Sequence, residues 1–258
     1  MNYYQKGQQV LVDLGWNKDL NSRPPLADLD QGFWDHTLEN LLGRVWGRPG
    51  LSVRDREIVV LSVLAAVVSP VGIATHLRKA HYIGLSERQV REILVIVGAL
   101  AGWETTAAAA AQFDRHLAEP NSSWPESQRV RQEERPDVSV EAVVRQLLDL
   151  GIPGDNSAQI AERAAQAPLP ERAQADIALM SDGPSLSARD RQIVIISALI
   201  AMNSDDVRAH FANRDHVGLT EVELREIVMQ AGYYCGWPKF AEATVRLNKV
   251  LRASASES

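Results

Sequence analysis

The residues of this 258-residue chain that are best suited to chemistry are its six histidines and its single cysteine. An imidazole titrates near neutrality, so a histidine can take up or release a proton during a reaction. A single cysteine, Cys235, cannot form an internal disulfide, a CxxC redox pair or a thiolate zinc cage. His76 and His81 are five residues apart, which splays their rings on a helix, and His116 and His216 lack partners at metal-ligand spacing. The cysteine count therefore excludes several reaction classes, and the histidine spacing argues against a metal site.

Composition limits the class of protein further. Apolar residues make up 45% of the chain and charged residues 23%, the balance of a globular rather than a disordered protein. The net charge of −6 argues against a nucleic-acid partner. The N-terminus is polar, and the longest apolar run, 58–68, is shorter than the roughly 18 residues that a membrane span requires. We expect a cytoplasmic protein without a membrane partner.

An internal repeat organises the sequence. Residues 51–59 return as 186–194 with 7 of 9 positions identical, and 84–87 return as 218–221. The offset is 135 in the first block and 134 in the second, so the second copy has lost one residue in between. A period above 100 residues indicates two duplicated domains rather than a solenoid. We assign a first domain to 1–118, a linker rich in Pro, Ser, Gln, Arg and Glu to 119–138, and a second domain to 139–258.

The elements that must position the histidines are predicted to be helices, giving an all-α fold. Helical periodicity covers the chain, and no segment outside the helices alternates with period two over five or more residues. The helices that begin at 53, 87, 188 and 221 each follow a Ser or Thr that has Asp, Gln or Glu three positions later, the pattern of a capping box. The predicted helices are 8–14, 33–45, 53–68, 73–81, 87–101, 105–117, 141–150, 158–166, 170–180, 188–202, 207–215, 221–234 and 240–251.

The long helices at 53–68 and 188–202 are apolar on nearly every side, so most of their surface must be buried. We expect the two halves to bury these helices by packing together as a pseudo-dimer. The tandem chain is then expected to assemble further as a homo-oligomer, a dimer or a trimer.

Several short segments together resemble the carboxymuconolactone decarboxylase family and, more broadly, the alkylhydroperoxidase D-like fold. They are Arg-Pro-Gly-Leu at 48–51, Arg-Asp-Arg at 54–56 and 189–191, His-Leu-Arg at 76–78, His-Phe-Ala at 210–212 and Tyr-Cys-Gly-Trp-Pro at 234–238. The second half is closer to the decarboxylase pattern, since the first half has Leu-Ala-Gly-Trp-Glu at 100–104. The resemblance implies two tandem helical domains, a cofactor-free decarboxylase and a small organic acid or lactone as substrate.

Related peroxidases carry Glu-x11-Cys-x2-Cys-x3-His, which places Glu and His 19 residues apart. Glu57 and His76 have that separation, but Ser69 and Gly72 occupy the two cysteine positions. In the second half Gln192 replaces the glutamate, His210 lies 18 residues on, and Asn203 and Asp206 fall at the cysteine positions. Thiol peroxidase chemistry needs a thiolate and a resolving partner, so the sequence argues against it.

The resemblance implies a set of site residues. His76 and His210 would transfer the proton, Glu57 would orient a ring, and Arg56 and Arg191 would clamp a carboxylate or enolate. For each there is a plainer alternative: a capped histidine at a bundle interface, a solvated first-turn glutamate, or arginines in salt bridges with Asp55, Asp190 or Glu92. The candidate substrate-binding residues are Tyr233, Tyr234, Trp237, Asp206 and Gln192.

We therefore expect a lyase that uses a histidine to transfer a proton on an enolate-forming acid or lactone, a class that includes secondary metabolites. Isomerases, cyclases and dehydratases can use the same proton-transfer site. A non-catalytic binding or scaffold protein is the alternative from another class, favoured by the loss of the glutamate in one half. It predicts no pocket that joins either histidine to a polar cluster.

Overall fold

The computed structural model describes residues 1–15, 30–119, 124 and 185–256. Within these ranges the regular structure is helical and contains no strand, so the all-α prediction is confirmed. In chain order the helices are α1 (Tyr3–Asp13), α2 (Gln31–His36), α3 (Val53–Ala66), α4 (Pro70–Ala80), α5 (Glu87–Ala101), α6 (Trp103–Ala118), α7 (Ala188–Met202), α8 (Val207–Ala212), α9 (Glu221–Cys235) and α10 (Trp237–Ser256). A π-helical segment, Thr37–Trp46, continues α2, and a 3-10 segment, Asn213–Val217, follows α8.

The helix starts follow the capping pattern of the sequence. Ser86, Ser187 and Thr220 each accept a hydrogen bond from the backbone N–H three residues later, and the side chain at that position returns a bond to the cap residue. At the start of α3 only half of this box forms. Ser52 accepts from the N–H of Asp55, but the Asp55 carboxylate bonds to Arg189 of the other half instead.

The predicted boundaries of α5 and α7 match the structure, whereas the other predicted helices within the described residues differ at one or both ends; the helix predicted at 8–14, for example, begins at Tyr3. The single helix predicted at 33–45 is α2 followed by the π-helical segment. That segment packs very closely on α1, where a Cβ on Gly7 would lie 1.9 Å from the Leu38 carbonyl oxygen. The helix predicted at 207–215 ends at Ala212 and tightens into 3-10 geometry, and α10 is longer than the predicted 240–251. The helices predicted at 141–150, 158–166 and 170–180 lie outside the described residues.

Helices α3 and α7 form the centre of the fold. They pack against each other, and each also packs on α5 and α9. Their burial extends around the whole helix, with Ile58, Leu61, Ile193 and Ile196 all inaccessible to solvent. Because one apolar helix from each half supplies the centre, the two halves share a single hydrophobic core.

Two equivalent ion pairs cross between the halves and indicate an approximate twofold axis. Arg54 bonds both oxygens of Asp190 at 2.9 Å, and Arg189 bonds Asp55 at 3.0 Å. Each pair is the image of the other, since the repeat offset of 135 converts 54 to 189 and 55 to 190. Reciprocal contacts of this kind are what a twofold interface produces, so the halves pack as a pseudo-dimer.

The predicted linker falls mostly outside the described residues, apart from its first residue and Trp124. Trp124 is 1% exposed, donates its indole N–H to the Leu85 carbonyl, and packs edge-on against Phe113 and His116. The packing of the first half therefore extends past residue 118. None of the helices in the described ranges is long and apolar enough to cross a membrane.

Candidate active site

A buried carboxylate and a buried imidazole meet where α3 lies against α4. Glu57, the fifth residue of α3, is inaccessible to solvent, and His76 of α4 is 5% exposed. The two glutamate oxygens lie 3.0 and 2.9 Å from His76 Nδ1. A carboxylate only accepts, so Nδ1–H donates to it, and this bond fixes the tautomer and the orientation of the ring. The other ring nitrogen, Nε2, is left for proton exchange.

Two aromatic residues flank this pair, and one of them comes from the other half. The Trp46 ring, at the end of the π-helical segment, stacks on the His76 ring with centroids 6.1 Å apart. Tyr234 of α9 meets the same imidazole edge-on at 5.5 Å. Trp46 Nε1 donates to the Tyr234 hydroxyl oxygen at 3.0 Å, which leaves the phenolic proton to be donated elsewhere. The site is therefore incomplete without the second half.

Burial controls the protonation of this cluster. It lowers the pKa of His76, the Glu57 carboxylate opposes that effect, and the nearby Lys79 adds to it. Burial also raises the pKa of Tyr234 far above its usual range. At physiological pH the ring of His76 is therefore neutral, and Tyr234 keeps its proton and can act as a hydrogen-bond donor.

The corresponding pair in the second half has the opposite hydrogen-bond polarity. Gln192 Nε2 lies 2.9 Å from His210 Nδ1 and donates to the His210 carbonyl oxygen at 3.2 Å. Both contacts require the amide nitrogen as donor, so Nδ1 accepts and the ring proton resides on Nε2. Burial lowers the pKa of His210 to about 4. No carboxylate bonds this ring in the described chain, and Leu100 occupies the position that Tyr234 has in the other site.

Arg56, a candidate clamp for the substrate, is enclosed in protein. Its side chain is inaccessible to solvent, bonds Glu226 at 2.8 Å and Gln230 at 3.1 Å, and also bonds the Arg48 carbonyl oxygen. The plainer alternative of a salt bridge describes it correctly, although the partner is Glu226 rather than Asp55, Asp190 or Glu92. Burial lowers the pKa of this guanidinium, and the Glu226 carboxylate counteracts that effect. Arg56 therefore joins the halves and offers no surface to a ligand.

Arg191 occupies the equivalent position on α7 but is held differently. It is partly exposed, and its Nε is buried without a hydrogen-bond partner. The acid at the equivalent of Glu226 is Glu92, which accepts hydrogen bonds from Ser185 and Leu186 instead. Asp55 and Asp190, the other acids considered for it, bond Arg189 and Arg54.

The remaining candidates are not brought to either imidazole. Tyr233 packs edge-on against Trp237 at 5.1 Å, and Trp237 is 56% exposed and packs on Phe240. Asp206 is exposed and bonds the Ser204 hydroxyl, although its charge raises the pKa of His210 slightly against the effect of burial. These three residues therefore form surface clusters on the second half.

One of the positions that would hold thiols in a peroxidase, Gly72, has close side-chain neighbours. A Cβ on Gly72 would lie 2.8 Å from both a Leu64 methyl carbon and the Ser69 hydroxyl oxygen. The free Cys235 lies beyond Tyr234, and burial raises the pKa of its thiol, which disfavours the thiolate. Among the described residues, no group of three or more His, Cys, Asp or Glu side chains is placed to hold a metal ion.

Sequence reasoning missed two residues of this region. Trp46 carries no local pattern that distinguishes a site residue from core, and its counterpart in the repeat lies outside the described residues. Lys79 follows His76 by three positions, so it shares that helix face, and it is 8% exposed. The spacing of three residues from His76 was the signal that the sequence offered, whereas the burial of Lys79 is visible only in the structure.

Comparison with known sequences gives two matches. The profile of the carboxymuconolactone decarboxylase family matches residues 34–115 and 169–247, together more than half of the chain. A 4-carboxymuconolactone decarboxylase from Acinetobacter baylyi is 29% identical over 117 residues. That alignment covers 45% of this chain and 84% of the relative.

Proposed function

This chain belongs to the carboxymuconolactone decarboxylase family, and we propose that it is a cofactor-independent lyase in which His76 transfers a proton during release of CO2 from an enolate-forming organic acid or lactone. The observation that carries the proposal is the contact of both Glu57 carboxylate oxygens with His76 Nδ1, which leaves Nε2 as the nitrogen able to exchange a proton. The family relationship and the relative's decarboxylase activity support the reaction class.

The proposed reaction needs one proton and an acceptor for one electron pair. The substrate carboxylate enters together with a proton, which resides on His76 Nε2. The bond between the carboxyl carbon and the neighbouring carbon breaks, CO2 leaves, and the electron pair passes into a conjugated carbonyl as an enolate. The Tyr234 hydroxyl donates a hydrogen bond to the enolate oxygen, a contact that strengthens as negative charge develops there. Nε2 then gives its proton to carbon, and the ring returns to its neutral form.

The two histidines provide a matched experiment. We expect His76→Gln to lower the turnover number about 10²- to 10⁴-fold, the usual loss when a proton-transfer group is removed. His210→Gln, the same change at the equivalent position, should leave turnover within a few fold, because Gln192 already occupies its Nδ1. The first probe is 4-carboxymuconolactone, the substrate in the relative's name, followed by other acids able to form an enolate.

Release of CO2 and incorporation of solvent deuterium into the product are measured side by side. Full turnover by His76→Gln would contradict the proposal, and so would an equal loss in His210→Gln. Deuterium exchange without CO2 would assign the same site to an isomerase, cyclase or dehydratase. An absence of both over a panel of acids would favour the binding or scaffold role.

A further inference from the structure

Lys79 is a buried cation that the proposed reaction does not use. It lies on α4, three residues after His76 and on the same face, and is 8% exposed. Its charge acts on both members of the pair, since it interacts favourably with the Glu57 carboxylate and unfavourably with a protonated His76. A lysine is rarely enclosed in this way unless an acid balances it.

The cluster contains two bases and a carboxylate. The charged groups acting on His76 within the described residues are Glu57 on α3 and Lys79 on α4, while Tyr234 of α9 stays neutral and Trp46 does not titrate. Two protonated bases beside a single carboxylate would leave a net positive charge in a buried site, which is costly. Burial lowers the pKa of both bases and the Glu57 carboxylate opposes that effect on both, so the higher starting value of lysine, 10.5 against 6.5 for histidine, assigns the proton to Lys79.

The second half provides an independent observation. The repeat offset of 134 that converts His76 to His210 also converts Lys79 to Asn213. Gln192 stands at the equivalent of Glu57, so both charges are replaced by neutral amides in the same half. The residue that contacts Nδ1 and the residue three positions after the histidine are thus both charged in the first half and both neutral in the second. This pairing indicates that the lysine and the glutamate function together.

We propose that Lys79 is a positioning residue that balances the charge of Glu57 and thereby keeps the resting His76 neutral, with a free lone pair on Nε2. The catalytic role assigned to this neutral form of His76 rests on the proposed function. An anionic substrate brings the second negative charge that the cluster lacks, so His76 takes up its proton only when the substrate binds. The proton is then delivered to a bound acid rather than held in an empty site.

The test measures the pKa of His76 directly in the full-length protein by ¹⁵N NMR of the imidazole nitrogens. Lys79→Met removes the charge and keeps the length of the side chain, and we expect the pKa of His76 to rise by about 1 to 3, the usual effect of one neighbouring charge. Lys79→Arg keeps the charge and should leave that pKa near its original value. Arg78→Met is the matched control, because it removes a cation from the adjacent, largely exposed position.

A double variant, Glu57→Gln with Lys79→Asn, copies the second half. We expect the pKa of His76 in it to stay below its usual value, as that of His210 does, and the variant serves as the second route if Lys79→Met does not fold. In every variant His210 provides an internal reference that should not move. An unchanged or lowered pKa of His76 in Lys79→Met, or an equal rise in Arg78→Met, would overturn the inference.

These readouts need no turnover, so they separate the inference from the proposed function. If the protein releases no CO2 but the pKa of His76 rises as expected, the charge relationship stands and the reaction assignment fails. If turnover depends on His76 but the pKa of His76 does not change in Lys79→Met, the reaction assignment stands and the charge relationship fails. In an active enzyme, Lys79→Met should also shift the pH profile of kcat/KM to higher pH. Replacing a lysine with a merely structural role would not shift that profile.

Discussion

Removing the carboxylate of Glu226 should destabilise the contact between the two halves. In Glu226→Gln the guanidinium of Arg56 loses its counter-ion while it stays inaccessible to solvent. Arg48 bonds the same carboxylate at 2.7 Å, but its side chain is 48% exposed and can be rehydrated. The buried charge of Arg56 is therefore the main source of the expected loss.

The size of the effect follows from this burial. Breaking a buried ion pair by removing one partner costs about 3 to 5 kcal/mol, because the remaining charge is uncompensated. Glutamine keeps one oxygen that can accept from Arg56, so we expect a loss near the lower end, about 3 kcal/mol. Globular domains have a free energy of unfolding of about 5 to 15 kcal/mol, so the change should be large in a denaturation experiment.

Glu92→Gln is the matched control, since Glu92 is the repeat equivalent of Glu226 and is similarly buried. It accepts from Ser185 and Leu186 rather than from a cation, so an amide oxygen can replace it at a cost of about 1 kcal/mol. Guanidinium chloride unfolding followed by circular dichroism measures both variants. Equal losses in the two would refute the reasoning, because they would show that the charge on Arg56 is not what Glu226 balances.

A second arm uses Arg56→Met combined with Glu226→Met. Well-packed apolar residues often replace a buried ion pair without loss, so this variant should be more stable than Glu226→Gln. Gln230 and Tyr234 follow Glu226 at successive four-residue steps on α9, and this face docks on the first half. Glu226→Gln should therefore also weaken the contact of Tyr234 with Trp46, measurable as a loss of turnover by a full chain that remains folded.

Two further predictions concern pH and backbone strain. Unfolded His210 has a pKa of 6.5 and the folded ring about 4, so the unfolded chain binds the proton more readily between these values. Stability should fall by about 3 kcal/mol as the pH drops across that window, and His210→Gln should remove this part of the dependence in denaturant titrations. An unchanged pH dependence would contradict the burial of a neutral ring. Val68 has φ of 56° and its repeat equivalent Asn203 has 58°, so Val68→Asn should stabilise the protein by about 1 kcal/mol in thermal unfolding. A destabilisation there, with Val71→Asn as the helical control, would show that no strain is stored at this turn.

Much of the architecture was predictable because it depends on local physics and on the repeat. Ser86 with Gln89 and Thr220 with Glu223 cap their helices through contacts three residues apart, so the sequence alone locates α5 and α9. The π-helical segment was not predictable. α1 approaches this segment so closely that Gly7 and Gly43 each lie against the backbone of the other element. This approach is a tertiary contact, so the local sequence does not predict it.

For the site, the sequence established the residue types and their separation along the chain. Glu57 and His76, 19 residues apart, could be paired from the resemblance, and the change to Gln192 already implied that the two halves differ. Arg56 could not be assigned in the same way, because one guanidinium suits a ligand carboxylate and a protein carboxylate equally well. Its contact with Glu226 joins residues 170 positions apart.

The sequence by itself determined that the chain is a duplicated, helical, thiol-poor member of its family, because composition, periodicity and internal identity are properties of the chain. Only the tertiary structure decided which partners each histidine has. Nδ1 of His76 donates to a carboxylate and Nδ1 of His210 accepts from an amide, and Tyr234 reaches the first site from the opposite half. The protonation of a buried ring depends on the partners that surround it in space, and packing alone brings those partners together.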